Sequence, residues 1–494
     1  MVSLKKIFIF LKIIFLFFVV YLFFNGLIHY KGNFFIYVFF SILGNYLLFY
    51  SFRKNAFFFE SFFGLFIWLG FWFKFVCVIS FRDGQFPEGF GNFNNSPESF
   101  DYALLISIVA FLAIIFSYRV REQFFNYHKK NLIIGKNTIY TNNKKIILFT
   151  LFIMFILIGS LNLFYGIYQK GMIIDFNINI LIHSFFKWAL LFGFTAIFSL
   201  IVYFEINIYK KFFSLSAILL IFESFFSYST MLSRAMIFNI LAILYGAFRF
   251  NAMFHIKLKT DDFIKFIVLS FSLFYFSSLS VNYLRANYFY QGSSYNISTF
   301  KKLELNNNSE LKELKELDKD KLPFFNNNEL LYLAMNRWVG IDSVLAVIGK
   351  NNILSFELLK DSLKEKFNKN KNSFYEETFS VMNQYYSKKS MDNFVKGVTL
   401  PGIVAFLFYS GSLIFLFVSL SFLIFASSFI EYVSFKITNF NMIFSALIGQ
   451  LIAYRWIHFG YMPINSYLLF SSIILTIFLI SFLFNIFNLK INRI

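Results

Sequence analysis

Residues 212–248 read FFSLSAILLIFESFFSYSTMLSRAMIFNILAILYGAF, and only two charges, Glu223 and Arg234, interrupt the apolar run. It is too long for one bilayer crossing and suits two, because about 20 apolar residues make a spanning helix. The polar stretch STMLSRA at its centre predicts the turn between them. An arginine in or near hydrocarbon costs about 2.5–3.5 kcal/mol even on lenient insertion scales, so Arg234 needs a compensating partner or a place at the interface. Glu223 lies eleven residues earlier, about three helical turns, and would need a cation from another helix. For Glu223 a structural ion pair and a catalytic role both stay open.

The same pattern recurs outward along the chain. Of 494 residues, 58% are hydrophobic and 14% charged, with a mean hydropathy of +0.64. That is too much apolar side chain for a soluble core and too little charge to cover one. The repeated long apolar runs predict spanning helices, whose backbone hydrogen bonds close internally; the alternating ten-residue strands of a barrel are missing. The fold class is therefore an all-α polytopic membrane protein. Twelve helices are expected, at 7–28, 34–52, 57–80, 102–118, 146–166, 182–204, 212–228, 235–250, 263–282, 399–430, 441–458 and 467–488. The first is too long for a removable signal peptide and lacks a small-residue cleavage site, so it reads as an anchor. The 81 phenylalanines, with abundant Ile, Lys and Asn, fit an AT-rich coding sequence and carry little functional meaning. Cys77 is alone, which leaves no disulfide framework.

The net charge of +19 sorts by side. With the N-terminus cytoplasmic, inside loops carry Arg53, Lys54, Arg119, Arg121, Lys129, Lys130, Lys136, Lys144, Lys145, Lys210, Lys211, Arg249, Lys257, Lys259, Lys490 and Arg493. Short outside loops carry little beyond Lys31, Arg82 and Lys170. This is the positive-inside pattern, and it accounts for the basic balance without nucleic acid. Both termini are expected in the cytoplasm. Three regions follow: helices one to nine (1–282), a large outer loop (283–398) and helices ten to twelve (399–494). Within the loop, residues 305–321 are low-complexity and charged. Residues 329–349 set Leu331, Ala334, Trp338, Ile341, Leu345 and Ile348 at helical spacing. Residues 357–367 read as a second amphipathic helix and 373–387 as an ordered aromatic connector.

Four of the ten arginines, Arg234, Arg285, Arg337 and Arg455, fall on the outer side, where orientation does not require them. Guanidinium groups at a partly desolvated interface suit phosphate or pyrophosphate, which they bind through two parallel charge-assisted hydrogen bonds. Each alone also fits a snorkelling contact with headgroups or a structural ion pair. Lys74 and Lys187 approach the outer face, and Glu60 the inner. Asp342, Glu376 and Glu377 in the loop could take a proton from a hydroxyl nucleophile, or be solvated or paired carboxylates. His458, beside Arg455, is the one histidine near these groups. Asp318 and Asp320 have the DxD spacing of metal-binding transferases but lie in a Lys/Glu-rich run; no metal or cofactor motif is read from them.

Three stretches carry a resemblance. Ser233–Arg234 heads a helix, NRWVGIDSVLAVI (336–348) lies in the loop, and TLPGIVAFLFYSG (399–411) enters the next span. With about twelve helices and one large outer loop near the C-terminal third, the chain resembles the Wzy-type oligosaccharide repeat-unit polymerases of bacterial O-antigen synthesis. IYQKGM (167–172) looks like that family's short YxxG segment. The resemblance implies a metal-independent, GT-C-like glycosyltransferase of the bacterial inner membrane, without cofactor, in polysaccharide and lipopolysaccharide biosynthesis. It implies undecaprenyl-pyrophosphate-linked oligosaccharide as partner and a chain-length regulator as a candidate one. Arg234, Arg285, Arg337, Glu376 and Glu377 are then the catalytic candidates, and Arg455, His458, Tyr409, Asp342 and Lys170 the substrate-binding ones. O-antigen ligases share the fold but typically carry a histidine in the large loop, which this chain lacks; the general base stays unassigned. A lipid-linked oligosaccharide flippase is the alternative from another class, although transporters usually show internal repeats and midplane charges.

Overall fold

Polar side chains mark where the apolar runs begin to coil. Asn33, Ser96, Thr138, Asn179, Ser412 and Asn441 each accept a hydrogen bond from a first-turn amide and open a helix. The computed structural model describes residues 4–81, 84, 86, 93–127, 138–170, 179–256, 258–304, 338–366, 373–379, 400–460 and 463–489, with backbone alone for 4–9, 11, 180 and 285–304.

The helices, in chain order, are α1 (Leu4–His29), α2 (Phe34–Ser51), α3 (Phe58–Trp68, a π turn Leu69–Phe73, then Lys74–Phe81), α4 (Pro97–Phe124) and α5 (Ile139–Tyr165). Then come α6 (Ile180–Trp188, a π turn Ala189–Gly193, then Phe194–Tyr209), α7 (Leu215–Thr230), α8 (Met236–Phe254) and α9 (Thr260–Glu304). Three short helices follow, α10 (Ile341–Ile348), α11 (Phe356–Leu363) and α12 (Phe374–Thr378). The last four are α13 (Gly402–Leu407), α14 (Leu413–Ile437), α15 (Met442–Ile457) and α16 (Ile464–Asn488). Among the described residues ten helices are long and apolar enough to cross a membrane; α7 and α15, with 16 residues each, are apolar but shorter. The outward surface is apolar too, with Phe35 78% exposed, Phe164 82% and Ile414 79%. A soluble protein does not present large side chains this way over most of its helices. The chain is a multi-pass membrane protein, all-helical among the described residues.

Several helices run longer than expected, as with Pro97–Phe124 for 102–118 and Ile139–Tyr165 for 146–166, and three differences matter more. The span expected over 399–430 is broken: a 3-10 turn, Phe408–Ser410, and Gly411 at φ +70° separate α13 from α14. Ser410, Gly411 and Ser412 supply the left-handed residue and the cap that start α14 afresh. The helix expected to stop at residue 282 runs on to Glu304, so the segment expected as a loop from 283 begins as helix. The amphipathic helix expected over 329–349 is described from Ile341; Leu331, Ala334 and the 305–321 run lie outside the described residues.

At the centre, α3 and α6 are the most enclosed of the long helices. The shorter α15 packs against α8, α3 and α14. Gly449 makes that packing possible, since a Cβ there would sit 2.6 Å from both the Glu431 carboxylate and the Phe59 amide nitrogen. One end of the bundle is closed by paired charge. Buried Glu60 receives Arg121 at 2.7 Å and Arg53 at 2.9 Å, and Glu431 accepts the opening amides of α3 from Phe58 (2.8 Å) and Phe59 (2.6 Å) together with the Tyr127 hydroxyl. Anions at a helix N-terminus are favoured by its unsatisfied amides and its dipole.

Candidate functional site

At the opposite end, α7 stops in a tight turn. Ser233 N donates to Tyr228 O (2.9 Å) and Leu232 N to Ser229 O (3.1 Å), the paired bonds of a Schellman ending. Glycine normally takes the left-handed position; here buried Leu232 holds it at φ +54°, a conformation that costs an L-residue about 1–2 kcal/mol. Surrounding contacts must over-determine it, and they are visible. Fully buried Asn162 on α5 donates to both Tyr168 O and Thr230 O (3.1 Å each) and accepts from Tyr168 N at 2.7 Å. Lys170 N donates to Met231 O at 2.9 Å. The short segment 166–170 is thereby stitched onto the end of α7.

This stitching sets the side chains. Lys170 Nζ donates to Ser233 Oγ at 3.2 Å and lies over the Tyr228 ring, while Arg234 reaches Asn282 Oδ1 on α9. Lys187 on α6 lies 5.8 Å from the Tyr168 ring centroid. On α15, Arg455 donates through Nε to Ser466 Oγ at 2.7 Å and stands within electrostatic reach of Tyr168, Lys187 and His458. His458 stacks on Tyr454, its Nδ1 2.9 Å from the Tyr454 carbonyl. Burial, then the charges of Arg455 and Lys170, push its imidazole down to about 4, so it is neutral at pH 7. Burial likewise raises the Tyr168 phenol to about 12.

Beside this cluster an aromatic wall of Phe66, Phe238, Tyr454 and Trp338 leads to the segment 338–366. There Lys74, on α3 just past its π turn, donates to Trp338 O at 2.9 Å and pairs with Asp342 at 2.8 Å. Gly70 and Gly340 let the two backbones meet: a Cβ on either would collide with the other strand of the contact. Ser343 Oγ to Leu400 O and Ser355 N to Tyr409 O, both 2.8 Å, fix the segment further.

The sequence candidates thus divide. Arg234, Lys170, His458 and Arg455 form one chain of neighbours. Asp342 sits across the aromatic wall, bound to Lys74. Glu376 is buried as the N3 residue of a capping box, accepting Ser373 N at 3.0 Å, whereas Glu377 is exposed. Tyr409 packs among Phe374, Phe379 and Phe406. Only backbone is described for Arg285; Arg337, like Asp318 and Asp320, lies outside the described residues. Asn162, Ser466 and Asn282 were not singled out by sequence.

The electrostatic contrast between the two ends is sharp. Five ion pairs occur among the described residues, and neither Lys187 nor Arg455 belongs to one. Their neighbours are Tyr168, Tyr454, Ser466, His183 and His458, which orient cations without neutralising them. Among the described residues no group of three metal-ligating side chains occurs. No family model, curated protein or solved structure matches the chain.

Proposed function

We propose that the Arg234 end of the bundle faces the periplasm and binds the pyrophosphate of a polyprenyl-linked glycan, and that the chain polymerises such lipid-linked repeat units. The observation that carries this reading is the cation cluster of Lys170, Lys187 and Arg455, set among tyrosines next to Ser233–Arg234, where Lys187 and Arg455 lack a carboxylate among the described residues. Fixed positive charge in a poorly hydrated site stabilises an anion most where its charge grows. In the reaction, a sugar hydroxyl on the incoming unit attacks the anomeric carbon of the growing glycan. The bond from that carbon to the pyrophosphate oxygen breaks, the hydroxyl proton passes to a base, and undecaprenyl pyrophosphate leaves with the electron pair. Arginine and lysine serve that leaving group without a metal. The aromatic wall offers a face for sugar rings, and Asp342 is a carboxylate held across it by Lys74.

The test uses purified protein in nanodiscs given only lipid-linked repeat units, with chelator and without nucleotide. Longer glycans and released undecaprenyl pyrophosphate are expected. Movement of the lipid across the bilayer with no new glycosidic bond would overturn the reading in favour of a transporter.

A further inference from the structure

Among the described residues Glu223 has no cation. Sequence spacing suggested a partner on another helix, but the fully buried carboxylate receives only hydroxyls: Ser227 Oγ on Oε1 at 2.8 Å, Thr195 Oγ1 on Oε2 at 3.0 Å and Ser224 Oγ on Oε2 at 3.4 Å. All three hydroxyl residues are themselves fully buried. Thr195 lies two residues past the π turn Ala189–Gly193, where the Leu191 carbonyl accepts Tyr228 Oη (3.1 Å) and Asn239 Nδ2 (3.0 Å). Such single π turns often mark functional positions.

Charged groups on the packed helices are engaged elsewhere. On α6, Lys187 lies by Tyr168 and Arg455 and His183 packs on Tyr168, while Glu205 pairs with Lys144 of α5 and accepts from Tyr140 and Ser216. On α8, Arg249 donates to Ala56 O and Lys54 O, and the Tyr245 hydroxyl meets Ser61. On α9, Asp262 accepts Phe212 N and Phe213 N, and no contact of Asp261, Lys265 or Tyr275 with Glu223 occurs. Tyr228, one turn along α7, is the titratable group that shares its surroundings.

A buried carboxylate without a counter-charge does not stay ionised unless hydrogen bonds compensate the lost hydration, and hydroxyls do so only in part. They are, however, equally suited to the acid. A helical Ser or Thr hydroxyl can turn its proton to a carbonyl one turn back and offer a lone pair instead. We propose that Glu223 is a proton-binding site in the membrane interior that holds its proton in the resting protein, with Ser227 and Thr195 as the hydroxyls that donate hydrogen bonds to the carboxylate and can accept one from the acid. No step of the polymerase reaction uses it, so the site stands or falls separately from that reading.

Infrared difference spectroscopy of the full chain in nanodiscs at pH 7 decides the matter. Wild type minus Glu223→Gln should show the carbonyl stretch of a protonated acid. A pair of carboxylate bands in its place would overturn the proposal. Should Glu223→Gln fail to fold, Ser227→Ala serves: loss of that hydrogen bond should move an acid carbonyl band to higher frequency, whereas movement of carboxylate bands alone refutes a bound proton.

Discussion

Arg234 and Lys170 meet around Ser233 because neutral side chains hold the backbone there, and each of these residues makes a separate prediction. Lysine offers a point charge where arginine offers a planar fork. If Arg234 contacts the leaving pyrophosphate, Arg234→Lys should insert and fold yet turn over roughly ten- to a hundredfold more slowly, the loss of a charge-assisted bond of about 1.5–3 kcal/mol. Glycan assays paired with thermal denaturation check it; full activity at normal stability would leave Arg234 a headgroup contact. Asn162→Ala should destabilise by about 3 kcal/mol in detergent melts, since three backbone groups lose their partner in a buried place. His458 gives a pH effect of known sign. Its folded pKa, about 4, lies below the ordinary 6.5, so the folded state binds fewer protons between those values. Stability tied to it is complete above pH 6.5 and falls as the pH drops toward 4, and His458→Gln should flatten that part of the melting curve. The charged members of the cluster were legible in the sequence because charge is rare in an apolar run. Asn162 and Ser466 were not, because uncharged polar residues are common in spanning helices and their meaning lies in which helix they face.

At the scale of elements, hydropathy marked the long helices well, and Ser410–Gly411–Ser412 held a readable break that the apolar flanks obscured. The π turns in α3 and α6 left no trace in composition, since they are a matter of hydrogen-bond register. They nevertheless carry weight: the α3 turn contains Gly70, against which Gly340 lies, and Lys74 follows at once. Gly340→Ala should lift the outer segment off α3, because the added carbon meets Gly70 backbone atoms that cannot move aside. Limited proteolysis is the measurement. Cleavage within 338–366 should accelerate several-fold while the spanning helices stay intact; an unchanged rate would mean that the segment is held mainly through Ser343 and Ser355.

For the whole molecule, the distribution of lysine and arginine predicts that residues 130 and 370 face opposite sides of the membrane. Single cysteines introduced there should label from opposite sides, and labelling from one side would reverse the assignment of the Arg234 end. The paired-charge end predicts a different sensitivity. Glu60→Ala should strand fully buried Arg121, while Arg53 keeps Glu122, and destabilise by about 3–5 kcal/mol. Fold class was plain from composition alone. Which carboxylate meets which cation was not, since Glu60 and Arg121, or Lys74 and Asp342, become neighbours only once helices distant in sequence have packed.

The pairing of Lys74 with Asp342 also has a history within each molecule's synthesis. The aspartate lies 268 residues after the lysine, and at about 5–20 residues per second a ribosome takes tens of seconds to reach it. Throughout that interval α3 waits in the membrane with an ammonium that has not met its partner. The nascent chain must keep Lys74 wet, at the lipid headgroups or beside the insertion machinery, and can seat the first third of the bundle fully only after its last third has begun to emerge.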